Sequence, residues 1–290
     1  MRNSSPLHFL CALLLVCSTG ALAGCDSNVT NLVNDDGGSH DGGDVVDGGF
    51  SDGRTRPDAD PLAPDASPPA GCVPGTTQCT DCKDNDGDGL FDGFDPGCTS
   101  AADNIEGSFA TGISGDNIDP KTQDCFFDGN SGGGDDKCAY HTCCLTDVNH
   151  DGTCPISAPH YDPASCTVTQ QCIDNCAPAA TGGCDCFGCC TICNGSDCKD
   201  IAVNPAISPN CTQDTYNDPS KCLPCNKSND CTGTPCGPGT CTLCPGQLPE
   251  DLPPECNNTT TCPGSTACTA TSGCTGTDFC ASGCCVHQIG

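Results

Sequence analysis

Cys184-Asp185-Cys186-Phe187-Gly188-Cys189-Cys190-Thr191-Ile192-Cys193 places five cysteines within ten residues, with Cys198 soon after. The Cys-x-Cys and Cys-x-x-Cys spacings suit two chemistries. Thiolates at these intervals bind zinc or copper, whereas oxidised thiols close small loops. Which applies depends on the redox compartment, because disulfides persist only outside the reducing cytosol. The compartment in turn decides whether the rest of the chain folds around metal, around cross-links or around an apolar core.

The amino terminus answers for export. Met1-Arg2 precedes the apolar run Phe9-Leu10-Cys11-Ala12-Leu13-Leu14-Leu15-Val16, too short for a stable membrane span, so residues 1–24 read as a secretory signal peptide. Ala21-x-Ala23 fits cleavage before Gly24 and a plain secreted product. Leu22-Ala23-Gly24-Cys25 resembles the lipobox of bacterial lipoproteins, which implies that Cys25 carries lipid and becomes the mature amino terminus. Cysteine parity agrees with the second cut. Of 35 cysteines, Cys11 and Cys17 leave with the signal, and lipidation of Cys25 leaves 32, an even number able to close as sixteen disulfides. In the secreted alternative one thiol is left over, and Asn194-Gly195-Ser196, Asn226-Lys227-Ser228 and Asn257-Asn258-Thr259 become glycosylation acceptors.

Composition fits cross-linking. Between Cys72 and Cys285 lie 32 cysteines in 214 residues, with no Trp in the chain, one Met, three Tyr, 36 Gly and 24 Pro. Such a chain lacks the side chains for one large core, so disulfides replace it. The expected fold class is small disulfide-rich modules in tandem, mostly loops with short strands, behind a disordered N-terminal spacer. A net charge of −29 excludes nucleic acid and anionic lipid as partners and favours divalent cations. Membrane attachment is expected through the lipid alone.

Residues 25–71 hold Asp36-Gly37-Gly38, Asp41-Gly42-Gly43 and Asp47-Gly48-Gly49, then a proline-rich run from Pro57 to Pro69. This reads as an extended spacer following the lipidated Cys25, rather than as calcium-binding repeats, whose strand-stacking apolar residue is missing. Residues 72–106 contain the strongest chemical motif, Asp84-Asn85-Asp86-Gly87-Asp88-Gly89-Leu90-Phe91-Asp92-Gly93-Phe94-Asp95. It matches a twelve-residue calcium loop, with Asp84, Asp86 and Asp88 at positions 1, 3 and 5 and Gly89 at the sharp turn. Leu90 would offer its carbonyl, Asp92 a direct or water-mediated ligand, and Asp95 the closing carboxylate. Hard oxygen donors favour Ca2+ over Zn2+ or copper. Asp95 is shorter than the usual closing Glu, and the cysteine-rich flanks argue against framing helices. The loop resembles thrombospondin type 3 repeats, in which disulfides frame the same Asp pattern.

A second, weaker site starts at Asp147-Val148-Asn149-His150-Asp151-Gly152, with Asp147, Asn149 and Asp151 as ligands and Asp162 as an irregular closure. Asp128-Gly129-Asn130 with Asp135 and Asp136 is weaker still. The Cys-rich module, residues 107–205, has fourteen cysteines between Gln123 and Asp200, an even and self-sufficient set. The adjacent pairs Cys143-Cys144, Cys189-Cys190 and Cys284-Cys285 are disulfide candidates, each expected to join two different loops. In residues 206–290, Cys225-x5-Cys231-Thr232-Gly233-Thr234 is echoed by Cys268-x5-Cys274-Thr275-Gly276-Thr277. This reads as two related knots joined by a stiff linker, Pro249 to Pro254. Each holds seven cysteines, so they exchange at least one bridge.

Catalysis is not expected. Gly129-Asn130-Ser131-Gly132-Gly133 fits the nucleophile pattern G-x-S-x-G, yet the sole His preceding it in the exported chain is His40 in the spacer, and no strand pattern leads into it. His141, His150 and His160 read as surface histidines ahead of a Zn2+ or copper site. With these features assembled, the chain resembles a group of cysteine-rich predicted lipoproteins of myxobacteria. The likeness rests on Lys83-Asp84-Asn85-Asp86-Gly87-Asp88-Gly89-Leu90 through Asp95-Pro96-Gly97-Cys98, and on Asp119-Pro120-Lys121 through Cys186-Phe187-Gly188-Cys189-Cys190. It implies a cell-envelope location, at the outer membrane or cell surface, and no activity. The leading expectation is a lipid-anchored, calcium-stabilised, disulfide-rich protein that binds or adheres to a protein or polysaccharide. The alternatives are a thiolate metal-binding protein centred on Cys184 to Cys198 and a disulfide-knot protease inhibitor.

Overall fold

The computed structural model describes residues 69–112, 121–128, 136–156 and 161–288. The signal peptide, Cys25, nearly all of the spacer, Asn130, Ser131, Asp135 and His160 lie outside these. All 32 cysteines from Cys72 to Cys285 are paired in sixteen disulfides. Regular structure among the described residues is sparse: three antiparallel strand pairs, two helices under eight residues and several single 3-10 turns. A disulfide-rich, loop-dominated fold with short strands is therefore the architecture, as the composition requires.

The strand pairs are β1 (Thr122–Gln123) with β2 (Tyr140–His141), β3 (Cys189–Asn194) with β4 (Asp197–Ala202), and β5 (Phe279–Ala281) with β6 (Cys284–Val286). The helices are α1 (Thr142–Thr146) and α2 (Gln170–Cys176). Thr169 caps α2, its hydroxyl accepting from the Cys172 N–H at 3.2 Å, and His141 Nδ1 caps α1 from 3.1 Å. Isolated helices this short are unstable in water. Here the bridges Cys125–Cys176, Cys138–Cys172, Cys143–Cys154 and Cys144–Cys166 pin both helices to neighbouring loops.

Each adjacent cysteine pair joins two loops, and secondary structure gives the reason. Successive side chains in a strand point to opposite faces. On β3, Cys189 faces a core built on Tyr140, Leu145, Phe187 and Ile207 and bonds Cys225. Cys190 faces another, built on Phe109, Phe126, Ile192, Ile201 and Val203, and bonds Cys184. On β6, Cys284 bonds Cys262 and Cys285 bonds Cys274. Tyr140 stacks on Phe187 with ring centroids 4.3 Å apart, so each core is small but aromatic.

The fourteen cysteines from Gln123 to Asp200 do not close among themselves. Cys186–Cys231 and Cys189–Cys225 leave that span and fasten it to the next segment. Buried Asp185 reinforces the junction, accepting from the N–H groups of Phe187 (2.9 Å), Cys189 (3.0 Å) and Ser228 (2.7 Å). The two C-terminal blocks exchange one bridge, Cys241–Cys256. The echoed motif is not echoed in pairing: Cys225 and Cys231 bond Cys189 and Cys186, whereas Cys268 and Cys274 bond Cys280 and Cys285. Identical spacing does not fix the partner, which depends on where neighbouring loops pass. Between the blocks, Pro249–Asp251 and Pro254–Cys256 are two single 3-10 turns.

The first module stands apart in its attachment. Its two bridges, Cys72–Cys82 and Cys79–Cys98, are internal. It meets the C-terminal hairpin through contacts alone. The Ser282 N–H donates to the Gly93 carbonyl at 2.7 Å. Phe94 packs with Leu243, Leu252 and Cys280, and Phe279 with Cys79, Cys98 and Ala281. Gly93 is required there, because a Cβ would lie 1.6 Å from the Cys280 carbonyl oxygen.

Two outcomes follow from this construction. Denaturing alkylation without reductant should label none of the 32 paired cysteines, and peptide mapping should recover Cys186–Cys231 and Cys189–Cys225 as linked fragments. Gly93→Ala should destabilise the protein by roughly 1–3 kcal/mol through overpacking, measured by denaturant unfolding, with the disulfide map unchanged.

Candidate metal centre

The Asp84–Asp95 loop owes its shape to its own carboxylates. Asp84 accepts from the N–H groups of Gly87 at 2.6 Å and Gly89 at 2.9 Å. Asp86 accepts from the Asp88 N–H at 3.1 Å, and Asp88 from the Leu90 N–H at 2.8 Å. These short-range bonds are the turns that Asp forms readily, and at alternate positions they bend the chain around one centre. Gly89 sits at φ +88°, a conformation that L side chains avoid. Leu90 is fully buried and anchors the loop to the interior. Cys82 precedes the loop and Cys98 follows it, so the bridges to Cys72 and Cys79 hold both ends.

Position 12 is the most informative. Asp95 is 4% exposed. One of its oxygens, Oδ1, accepts from the Gly97 N–H at 2.6 Å, while Oδ2 is buried without a hydrogen-bond partner. Burial holds the Asp95 carboxyl well above the usual carboxylate range. The Asp88, Asp86 and Glu106 carboxylates push it further in the same direction, and the Gly97 N–H opposes them. Burial likewise raises Asp86, with Asp84 adding to it.

Asp92 behaves differently. Its two oxygens lie 3.1 and 3.2 Å from the Cys82 N–H, tying the loop back to the Cys72–Cys82 bridge. Its backbone is left-handed, φ +46°, and burial lifts its carboxyl to about 6. The motif suggests a direct or water-mediated ligand at this position, and the side chain also holds the segment that enters the loop through the Cys82 N–H.

Glu106 is the acid that the motif did not reveal. It is fully buried. Its Oε1 accepts from the Asp92 N–H at 2.8 Å, and its Oε2 accepts closely from the Asn85 N–H. Burial pushes Glu106 up to about 8, against the pull of those two N–H groups and with the help of the Asp86 and Asp92 carboxylates. Residues 72–106 contain eight acids, one Lys and no Arg. That Lys, Lys83, pairs with Asp81 at 3.3 Å on the surface. Among the described residues the buried acids thus have no cationic side chain to neutralise them, and such a group holds either protons or a bound cation. Hard carboxylate oxygens suit Ca2+ or Mg2+ rather than Zn2+ or copper.

The weaker candidates are arranged otherwise. Asp147 accepts from the N–H groups of Asp151 (3.3 Å) and Gly152 (2.8 Å) and, closely, from the Tyr161 hydroxyl. That hydroxyl is the main cause holding its pKa below the ordinary value. Asn149 is exposed, Asp151 accepts from the Thr153 N–H at 2.8 Å, and Asp162 caps its own turn through the Ala164 N–H. Asp147, Asn149 and Asp151 therefore shape a turn whose central carboxylate is already engaged. Asp128 and Asp136 are buried, and burial lifts nearby Asp124 to about 6, with Asp136 adding to it. His141 stacks on Tyr161, 5.5 Å between centroids, and His150 Nε2 lies 2.8 Å from Asn226 Nδ2. The six cysteines from Cys184 to Cys198 are all consumed in bridges.

A cleft of about 450 Å3 opens between residues 177–182 and the C-terminal hairpin. Thr234, Thr242, Thr261 and Ser265 are among its lining, and His287 pairs with Asp278 at 3.2 Å on its rim. Among the described residues no helix is long and apolar enough to cross a membrane. No family model matches the chain, and no match was found among curated proteins or solved structures.

The buried acids dictate a pH dependence. Glu106 titrates near 4.5 when unfolded and near 8 when folded without a cation, so the folded state binds more protons between those limits. Stability must then fall as pH rises through that window. In EDTA the melting midpoint should drop from pH 5 to pH 8, and Glu106→Gln should reduce the slope, above all between pH 6 and 8, with buried Asp95 contributing the same sign. Scanning calorimetry across the range reads both; a midpoint that rises with pH would contradict the electrostatics.

Proposed function

We propose that this chain is a lipid-anchored, calcium-stabilised, disulfide-rich protein of the cell envelope, with a binding or adhesive role. One observation carries the calcium reading: buried Asp95 Oδ2, without a partner, in a cluster of acids that has no basic neighbour. Asp84, Asp86, Asp88 and Asp95 would hold the ion, with the Leu90 carbonyl at position 7. Bound calcium would neutralise the cluster and rigidify the first module against the C-terminal hairpin. Extracellular sites of this type bind near ~10⁻⁴–10⁻³ M, so the ion serves structure rather than signalling.

Complete oxidation of the cysteines supports an exported location and favours this reading over a thiolate metal store. The cleft beside the C-terminal hairpin supports a binding role. Its Thr and Ser lining, with no Lys or Arg and with His287 paired to Asp278, suits a neutral polar partner, a polysaccharide or a protein segment. The lipobox at Cys25 supports attachment through lipid.

Calcium at 5 mM should stabilise the protein by about 1–2 kcal/mol for affinities of that order. That corresponds to a melting rise of roughly 2–8 °C. Asp84→Asn and Asp95→Asn should each abolish the rise, and Zn2+ should not reproduce it. Intact mass of natively purified protein should place a diacylglyceryl group on Cys25. A chain beginning at Gly24 without lipid would instead make the protein a secreted one.

A further inference from the structure

We propose that Glu106, from outside the twelve-residue loop, completes the cation cage, and that Asp92 is a positioning residue rather than a ligand. This assignment rests on the calcium reading of the loop and deepens it.

The argument is geometric. After Asp95 the chain turns back, and Glu106 returns to the loop's mouth. A Cβ on Gly97 would lie 1.8 Å from the Glu106 carbonyl oxygen and 3.0 Å from Asp95 Oδ1, so Gly97 is sandwiched between these two acids. A Cβ on Gly107 would lie 3.2 Å from Asp86 Oδ2, which places the next residue against another expected ligand. The Glu106 carboxylate then bridges two points of the loop backbone. One oxygen accepts from Asn85, between Asp84 and Asp86, and the other accepts from Asp92 across the loop. Each carboxylate oxygen has a second lone pair, so these two hydrogen bonds orient the group without exhausting it.

The loop needs such a group. Its closing residue is Asp95, one methylene shorter than the Glu that gives a bidentate bond in loops of this length. Asp95 keeps one oxygen on the Gly97 N–H and leaves the other buried and unpartnered, with the Asp88, Asp86 and Glu106 carboxylates close enough to act on it. Glu106 has the longer side chain and brings a further carboxylate between Asn85 and Asp92 of the loop. Both Asp92 oxygens share the Cys82 N–H, at 3.1 and 3.2 Å, which ties this carboxylate to the start of the loop. Its work is to fix the loop's return to the Cys72–Cys82 bridge.

Calorimetric Ca2+ titration of the full oxidised chain separates the roles, with Eu3+ luminescence lifetimes in H2O and D2O counting the waters on the bound ion. Glu106→Gln keeps an acceptor for one of the two orienting N–H groups and removes the charge. It should weaken Ca2+ binding by about tenfold or more, as expected when a site's ligand charge falls, and admit additional water to bound Eu3+. Asp92→Asn should leave the water count unchanged and shift affinity by less than about threefold. Glu106→Asp, which shortens the reach, should fall between Glu106→Gln and the natural chain. Natural protein that takes up no Ca2+ would overturn the calcium reading, and this assignment with it. Natural protein that binds, with Glu106→Gln matching it in affinity and hydration, would overturn the Glu106 assignment alone. Extra water in Asp92→Asn but not in Glu106→Gln would reverse the two roles.

Discussion

Covalent closure of loops does in this chain what a broad apolar interior does in others. Restricting the unfolded ensemble offsets the entropy that a chain with no Trp and 36 Gly has few other means to overcome. Where each bridge lies follows from local stereochemistry: alternation along β3 sends Cys189 and Cys190 into different cores, and the turn between β5 and β6 sets the register that directs Cys284 and Cys285 to different loops. The small aromatic clusters then fill what the bridges enclose. Tyr140 on Phe187 is an instance, its ring lying beside sulfurs rather than inside a continuous hydrophobic layer.

The first module works on a different balance. It has only two bridges and a surplus of buried negative charge, and its apolar contribution is a few side chains, chiefly Leu90, Phe94 and Cys79. Protons or a cation must supply what no Lys or Arg supplies there. Asp185 offers a useful contrast within the same chain. It is equally buried, yet three backbone N–H groups and nearby Lys227 compensate it, and its carboxyl rises to about 6 whereas Glu106 rises to about 8.

How far the sequence could be read depended on whether the signal was local. The loop Asp84–Asp95 was legible because its spacing is a property of consecutive residues, and the same holds for a disulfide-built, loop-rich fold, which follows from composition. Glu106 was not legible, since it joins the loop only through a chain reversal that no motif marks. Asp92 sits at a motif position, and spacing does not reveal that its carboxylate also accepts from the backbone of Cys82, ten residues upstream. The bridges Cys186–Cys231 and Cys189–Cys225 were hidden for a related reason: an even count of cysteines within a segment does not require them to pair there.

The seam between the first module and the C-terminal hairpin has a mechanical meaning. Val73 N–H donates to the Ser272 hydroxyl and Ala101 N–H to the Gln288 side chain, so the earliest and latest described segments lie side by side. Tension applied between those segments would load this seam in shear. No disulfide spans it, so it would part under forces that leave every cross-link intact. The seam is held by hydrogen bonds and packing, whereas sulfur fastens the body on either side of it.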